Sequence, residues 1–174
     1  MSVLPLIFRK QKPFKSIPRY IVLHGTECIG KDDQILKQDM KNKFQLPYLK
    51  KDTIIMEKQP DVPFHFVIEN IGPDYEPIMM HPFCSPIDYF SDVKNNERSI
   101  HICMFGNFNV DLAKPRLYEI LAYRVLAPLM FWFRIPQSQI YLHSEVDKNH
   151  KSCPGDMFYK DILYNKLNKY LLRK

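Results

Sequence analysis

Glycine is scarce in this chain of 174 residues, with five in all, at positions 25, 30, 72, 106 and 155. A loop that cradles phosphates with backbone amides needs glycines close together, so a glycine-rich nucleotide loop is excluded as the organising motif. The four cysteines, Cys28, Cys84, Cys103 and Cys153, form no Cys-x-x-Cys pair. They are spread over a chain large enough to fold without a disulfide framework, and are read as mostly reduced thiols. No apolar run approaches the roughly 18 residues of a membrane span, since Leu126 to Phe133 is interrupted by Pro128 and followed by Arg134. The apolar start, Met1 to Phe8, has no basic residue before it and meets Arg9 and Lys10 where a cleavage site would fall. No export signal is therefore expected, which leaves a cytoplasmic protein or one released by lysis. Internal repeats and low-complexity segments are also lacking.

The composition is that of a globular protein, 45% apolar, 13% aromatic and 25% charged. The length fits one domain, expected over residues 19–174 behind a basic, proline-containing arm over residues 1–18. The formal net charge of +6 favours an anionic partner, whether nucleic acid, a membrane surface or an acidic wall polymer. No nucleic-acid motif accompanies the charge and the aromatics fall at core-like positions, which argues against nucleic acid.

Along the chain, Tyr20-Ile21-Val22-Leu23 reads as a first strand delivering His24 at its end. A polar helix is expected from Asp33 to about Phe44. Phe64 to Glu69 reads as a strand, Asn70 to Asp74 as a turn, and Glu76 to Met80 as the returning arm of a hairpin. Ser99 to Phe105, dense in β-forming apolar residues, predicts a central strand ending at Gly106-Asn107. Pro115 opens a helix to about residue 133, which Pro128 is expected to kink or end early. Gln139 to Leu142 forms a short strand leading to His143, and a last helix over about 156–171 turns Phe158, Ile162, Leu163, Leu167, Tyr170 and Leu171 inward.

The densest chemical signal is His143-Ser144-Glu145-Val146-Asp147-Lys148-Asn149-His150-Lys151-Ser152-Cys153-Pro154-Gly155-Asp156. An imidazole and a thiol ten positions apart, closed by a Cys-Pro-Gly-Asp turn, suit two ligands of one metal. His24 offers a third donor, although a lone histidine at a strand end is commonly just hydrogen-bonded in its loop. Two imidazoles and one thiolate leave a fourth tetrahedral position of Zn²⁺ for water, the pattern of catalytic rather than structural zinc. A Cys153/His143 thiol hydrolase fits less well, because Cys153 precedes a proline instead of opening a helix that would activate a thiolate. Cys28, Cys84 and Cys103 read as small buried apolar groups, and His65 and His101, within strands, as structural histidines.

Four segments, Ile21-Val22-Leu23-His24-Gly25-Thr26, Phe64-His65-Phe66-Val67-Ile68, Ser99 through Phe108, and His143 through Asp156, occur in an order that resembles zinc-dependent N-acetylmuramoyl-L-alanine amidases of the peptidoglycan-recognition and phage-lysozyme type. The resemblance spans about residues 20 to 160. It implies an α/β fold with a mixed central β-sheet flanked by helices and a substrate groove over Zn²⁺ held by His24, His143 and Cys153. It further implies cleavage of the amide between N-acetylmuramic acid and L-alanine in peptidoglycan or muropeptides. Lys151 takes the family position that stabilises the developing oxyanion. Phe64, His65 and His81 are the candidate substrate-facing residues. The sequence departs from the family in two places: Phe64 stands where a tyrosine hydroxyl is usual, and Cys103 where other members supply a glutamate. A general base must then come from elsewhere, and Glu27 and Glu69 are the nearby carboxylates. The alternative is a non-catalytic peptidoglycan-binding module with the same fold.

Overall fold

Three apolar runs pair in parallel to make the centre of the sheet. In the computed structural model, residues 17–26, 64–71, 74–81, 83, 96–147, 149 and 151–172 are described. Strand β1 (Tyr20–Gly25) lies between β4 (Ser99–Met104) and β5 (Ile140–Leu142), parallel to both, with Tyr20 opposite Ser99, His24 opposite Cys103 and Ile21 opposite Ile140. All six residues of β4 are buried, as expected of a parallel strand covered on both faces, which reads as a continuous apolar run. Strand β2 (Phe66–Ile71) continues the sheet parallel to β4, and β3 (Asp74–Met79) returns antiparallel to β2. The order is β3-β2-β4-β1-β5, the mixed sheet anticipated from the sequence. The hairpin sits about two residues later at its start than expected, with Phe64 and His65 leading into β2 rather than opening it.

Side chains alternate between the two faces. Ile21, Leu23, Phe66, Ile68, Ile100, Ile102 and Met104 point into the main core beneath the helices, while Val22, Val67 and Cys103 join Phe64 and Met80 in a smaller cluster on the opposite face. That opposite face also carries His24 and His101, because each is two residues from a member of the smaller cluster.

The helix opened by Pro115 differs from expectation. It runs as α1 (Pro115–Ile120), widens to π-helical Leu121–Leu126, and resumes as α2 (Ala127–Phe133). The Ala127 N–H reaches back five residues to the Ala122 carbonyl. This wider turn precedes Pro128, whose ring has no N–H to give and would crowd a carbonyl in a regular α-turn. The proline therefore changes the helical register without ending the helix, which stops at Arg134 in a left-handed conformation (φ +54°).

The C-terminal helix also starts later than expected. A one-turn helix α3 (His143–Val146) follows β5, and α4 spans Lys160–Leu171. Residues 155–159 are instead a turn, held by Met157 N–H on the Phe108 carbonyl (2.7 Å), Phe158 N–H on the Gly155 carbonyl (3.1 Å) and Tyr159 N–H on the Tyr118 hydroxyl (2.7 Å). Leu163 and Leu167 are buried against the core as expected. Ile162 and Leu171 are exposed, at 39% and 44%, which corrects their inward assignment: only the i, i+4 pair Leu163 and Leu167 turns squarely into the packing against the helix opened by Pro115.

Both ends of the sheet are short of pairing surface. β5 has three residues. β3 contains Pro77, and its Asp74 and Glu76 accept paired hydrogen bonds from Arg116 (2.9 and 3.0 Å) and Arg124 (2.9 and 2.8 Å) on the overlying helix. No helix among the described residues is long and apolar enough to cross a membrane. The anticipated helix over 33–44, the arm up to residue 16, and Glu27, Cys28, Cys84 and His150 lie outside the described residues.

Candidate metal centre

His24, His143 and Cys153 converge. Their donor atoms all lie within 4.8 Å of one another and all three side chains are buried. Donors around a tetrahedral zinc stand about 3.5 Å apart, given bonds of about 2.0 to 2.3 Å, so small side-chain adjustments bring this set to bonding distance. Two imidazoles and a thiol are also chemically suited to zinc.

Each donor is placed by a different element. His24 is the penultimate residue of β1. His143 opens α3, whose first turn is held by the Glu145 carboxylate accepting from the Leu142 N–H (2.7 Å) and from the Lys160 ammonium (2.6 Å). Cys153 sits in the turn that follows, and its carbonyl accepts the Ser144 N–H (3.0 Å), which ties the two C-terminal donors together. The Cys153-Pro154 peptide is cis. Pro154 and Gly155 then pack on backbone. A Cβ at Gly25 would meet the Pro154 carbonyl, and one at Gly155, where φ is +135°, would meet the Phe108 backbone. Glycine is required at both positions by close approach, and at Gly155 also by the backbone angle. Thr26 closes the rim through its hydroxyl, which lies 3.2 Å from the Gly106 N–H and 3.3 Å from the Gly106 carbonyl.

Both imidazoles have polar groups close by. His143 Nε2 lies 3.4 Å from the Asp147 carboxylate, one helical turn on, with both groups buried. His24 Nε2 lies 2.9 Å from His101 Nδ1, and His101 Nε2 lies 2.6 Å from the Asn96 side-chain oxygen. Burial holds the His101 imidazole well below its ordinary pKa, and the nearby His65 and His143 rings push it the same way. His65 stacks on His101, and its Nδ1 accepts the His101 backbone N–H (3.0 Å).

The other candidates from the sequence separate. Lys151 is exposed, two residues before Cys153. His81 is half-buried beyond β3. Phe64 and His65 are fully buried (1% and 0%), with the Phe64 ring 5.3 Å from His24. Glu69 stands on the same sheet face as His24, two strands away and one outward-facing position further along. Its Oε2 is buried with no hydrogen-bond partner among the described residues, and burial pushes its carboxyl pKa up. Cys103 is buried in the smaller cluster.

Sequence reasoning read His101 only as a structural histidine and passed over Asn96 and Asp147. Asp147 carried a usable signal, a carboxylate four residues after a histidine. His101 carried a fainter one, a polar residue two positions from Cys103 in an otherwise apolar strand.

The sequence profile of the N-acetylmuramoyl-L-alanine amidase family matches residues 13–156. No curated protein sequence matches the chain significantly. Among solved structures, a selenomethionine AmpD derivative superposes with a TM-score of 0.61 at 19% identity, covering 87% of this chain and 86% of that one. The Ph2119 endolysin from a Thermus scotoductus MAT2119 bacteriophage gives 0.54 at 19% identity, over 92% and 94% of the two chains. Drosophila PGRP-LB gives 0.54 at 19%, over 86% and 81%. At this identity these likenesses speak for a shared fold.

Proposed function

The chain belongs to the N-acetylmuramoyl-L-alanine amidase family, and we propose that it hydrolyses, with Zn²⁺, the amide between N-acetylmuramic acid and L-alanine in peptidoglycan or muropeptides. The observation that carries this reading is the convergence of His24, His143 and Cys153 within 4.8 Å, from three separate segments, behind a turn that tolerates no side chain at Gly155. Those three residues would hold the metal. When bound, zinc supplies a Lewis acid for the carbonyl and a water acidic enough to attack near neutral pH.

The remaining work falls to the chain. The Lys151 ammonium, on the Cys153 turn, offsets negative charge that develops on the carbonyl oxygen. Glu69 is the described carboxylate we assign as proton acceptor, since a desolvated carboxyl with a raised pKa holds a proton closer to neutral pH than an exposed one. Glu27 is the other carboxylate proposed for that role. His81 is retained as a substrate contact. The substrate partner is a wall polymer or its fragments.

A second reading, recognition without turnover, is favoured by one specific observation. Phe64 packs its ring against His24, and a phenyl group offers no hydroxyl to a proton-transfer step. Zinc content and amide cleavage separate the two. The wild type is expected to carry one zinc per chain, to lose it in Cys153→Ala, and to release new L-alanine amino groups from muropeptides. Zinc without release, across a range of pH, leaves a recognition module; absence of zinc from the wild type overturns the metal reading itself.

A further inference from the structure

Behind His24 runs a hydrogen-bonded chain whose direction is set by its far end. The Asn96 side-chain oxygen, 2.6 Å from His101 Nε2, can only accept. His101 Nε2 must therefore carry a proton. A neutral imidazole has one N–H, so His101 Nδ1 is an acceptor, and it faces His24 Nε2 at 2.9 Å. His24 Nε2 must then donate, and the lone pair of that ring is left on Nδ1. From this geometry we propose that His101 is a positioning residue, which with Asn96 selects the His24 tautomer and ring orientation that present Nδ1 to the metal.

The placement follows from the sheet. β1 and β4 pair in parallel with Val22 opposite His101 and His24 opposite Cys103, so His101 lies one residue pair behind His24 on the same face. Asn96 belongs to the 3₁₀ turn, Asn96–Arg98, that feeds β4. The His101 ring is fully buried and is held from two further directions: its backbone N–H is given to His65 Nδ1, and its carbonyl accepts the His65 N–H at 2.9 Å. A buried imidazole with its backbone so fixed has little freedom to turn. Metal-binding histidines ordinarily give their outer N–H to a carboxylate, a carbonyl or water. His143 Nε2 lies 3.4 Å from the Asp147 carboxylate, whereas His24 Nε2 meets a neutral imidazole. The His24 relay thus supplies direction without charge.

This inference rests on the metal reading, and its test separates the two. Zinc affinity is measured by chelator competition for the wild type, His101→Phe, His101→Gln, Asn96→Leu and Asn96→Asp, with folding followed by circular dichroism. His101→Phe and Asn96→Leu remove acceptors and are expected to weaken zinc about 10- to 100-fold, the usual loss for an outer-shell partner. His101→Gln and Asn96→Asp keep an acceptor at the same place and are expected to stay within a few-fold of the wild type. Equal losses in the acceptor-keeping and acceptor-lacking members of each pair, or unchanged affinity in His101→Phe, overturn the positioning role while the metal reading stands. A wild type that binds no zinc overturns both. Should His101→Phe fail to fold, ¹⁵N chemical shifts of the wild-type histidines without metal decide the matter: protonated Nε2 with bare Nδ1 on both His24 and His101 supports the relay, and any other pattern refutes it.

Discussion

Replacing Gly155 by alanine tests how tightly the turn carrying Cys153 is built. Two costs add in the folded state. At φ +135° a residue with a side chain is held in a sparsely populated region, at about 1 to 3 kcal/mol. The new Cβ also overlaps the carbonyl carbon, oxygen and following nitrogen at Phe108, which are backbone atoms unable to swing aside. Overpacking of this kind costs about 1 to 3 kcal/mol. Against these stands the lower entropy of the unfolded alanine chain, worth about 0.4 to 1 kcal/mol. The net expectation is a loss of about 1 to 6 kcal/mol, a large share of the roughly 5 to 15 kcal/mol that holds a typical domain folded. Urea unfolding followed by circular dichroism measures it, as a lowered midpoint with unchanged slope. Because the Cys153 carbonyl is bonded to the Ser144 N–H beside His143, zinc affinity should fall together with stability. A change below about 0.5 kcal/mol would refute the argument, since it would mean that the Phe108 backbone moves away at no cost.

Two further predictions concern carboxylates. The Arg116 guanidinium and the Tyr75 N–H hold the Asp74 carboxyl at a pKa of about 2, below its ordinary 3.8; being depressed in the folded state, it stabilises above pH 4 and loses that contribution as pH falls through about 2. Asp74→Asn should thus be less stable than the wild type at neutral pH by a salt-sensitive margin that closes between pH 4 and 2 in unfolding measurements, and a margin independent of pH would contradict the pairing. Glu69 has the opposite sign, because burial raises its folded pKa above the unfolded value, so the native state holds its proton longer and stability falls as pH rises through that window. Glu69→Gln should therefore be more stable than the wild type at neutral pH and equal to it below about pH 4, while turnover on muropeptides drops about 100-fold or more; unchanged turnover would remove Glu69 from the proton-transfer role.

The central strands were legible because burial on both faces leaves a contiguous apolar run, and Ile21 to Leu23 and Ile102 to Met104 are such runs. The three proposed donors were legible because each stands at a strand or turn end where the apolar pattern stops. His101 was not. Its part depends on the pairing of β1 with β4 across 77 residues, and no local pattern states which strands will be neighbours. Pro128 misled for a related reason: its own chemistry forbids a regular α-turn, but the π-turn that accommodates it is stabilised by tertiary packing of Leu121, Ala122, Val125 and Leu126. The late start of α4 reflects Tyr118, whose hydroxyl accepts the Tyr159 N–H from a distant helix and holds residues 155–159 as a turn.

The two margins of the sheet bear on how copies of this protein meet one another. An uncovered strand margin is a template on which another chain can lay a strand of its own, and aggregation commonly begins there. Here one margin is three residues long, too brief to template much, and the other is interrupted by Pro77, which has no N–H to offer an incoming chain. The carboxylates at positions 74 and 76 precede that proline and are already claimed by arginines of the overlying helix, so an arriving strand would meet fixed charge instead of open backbone. The same ion pairs that clamp the hairpin to the helix thereby discourage strand-by-strand growth, and a Pro77→Val chain, with its donor restored, is the form in which that protection would be lost.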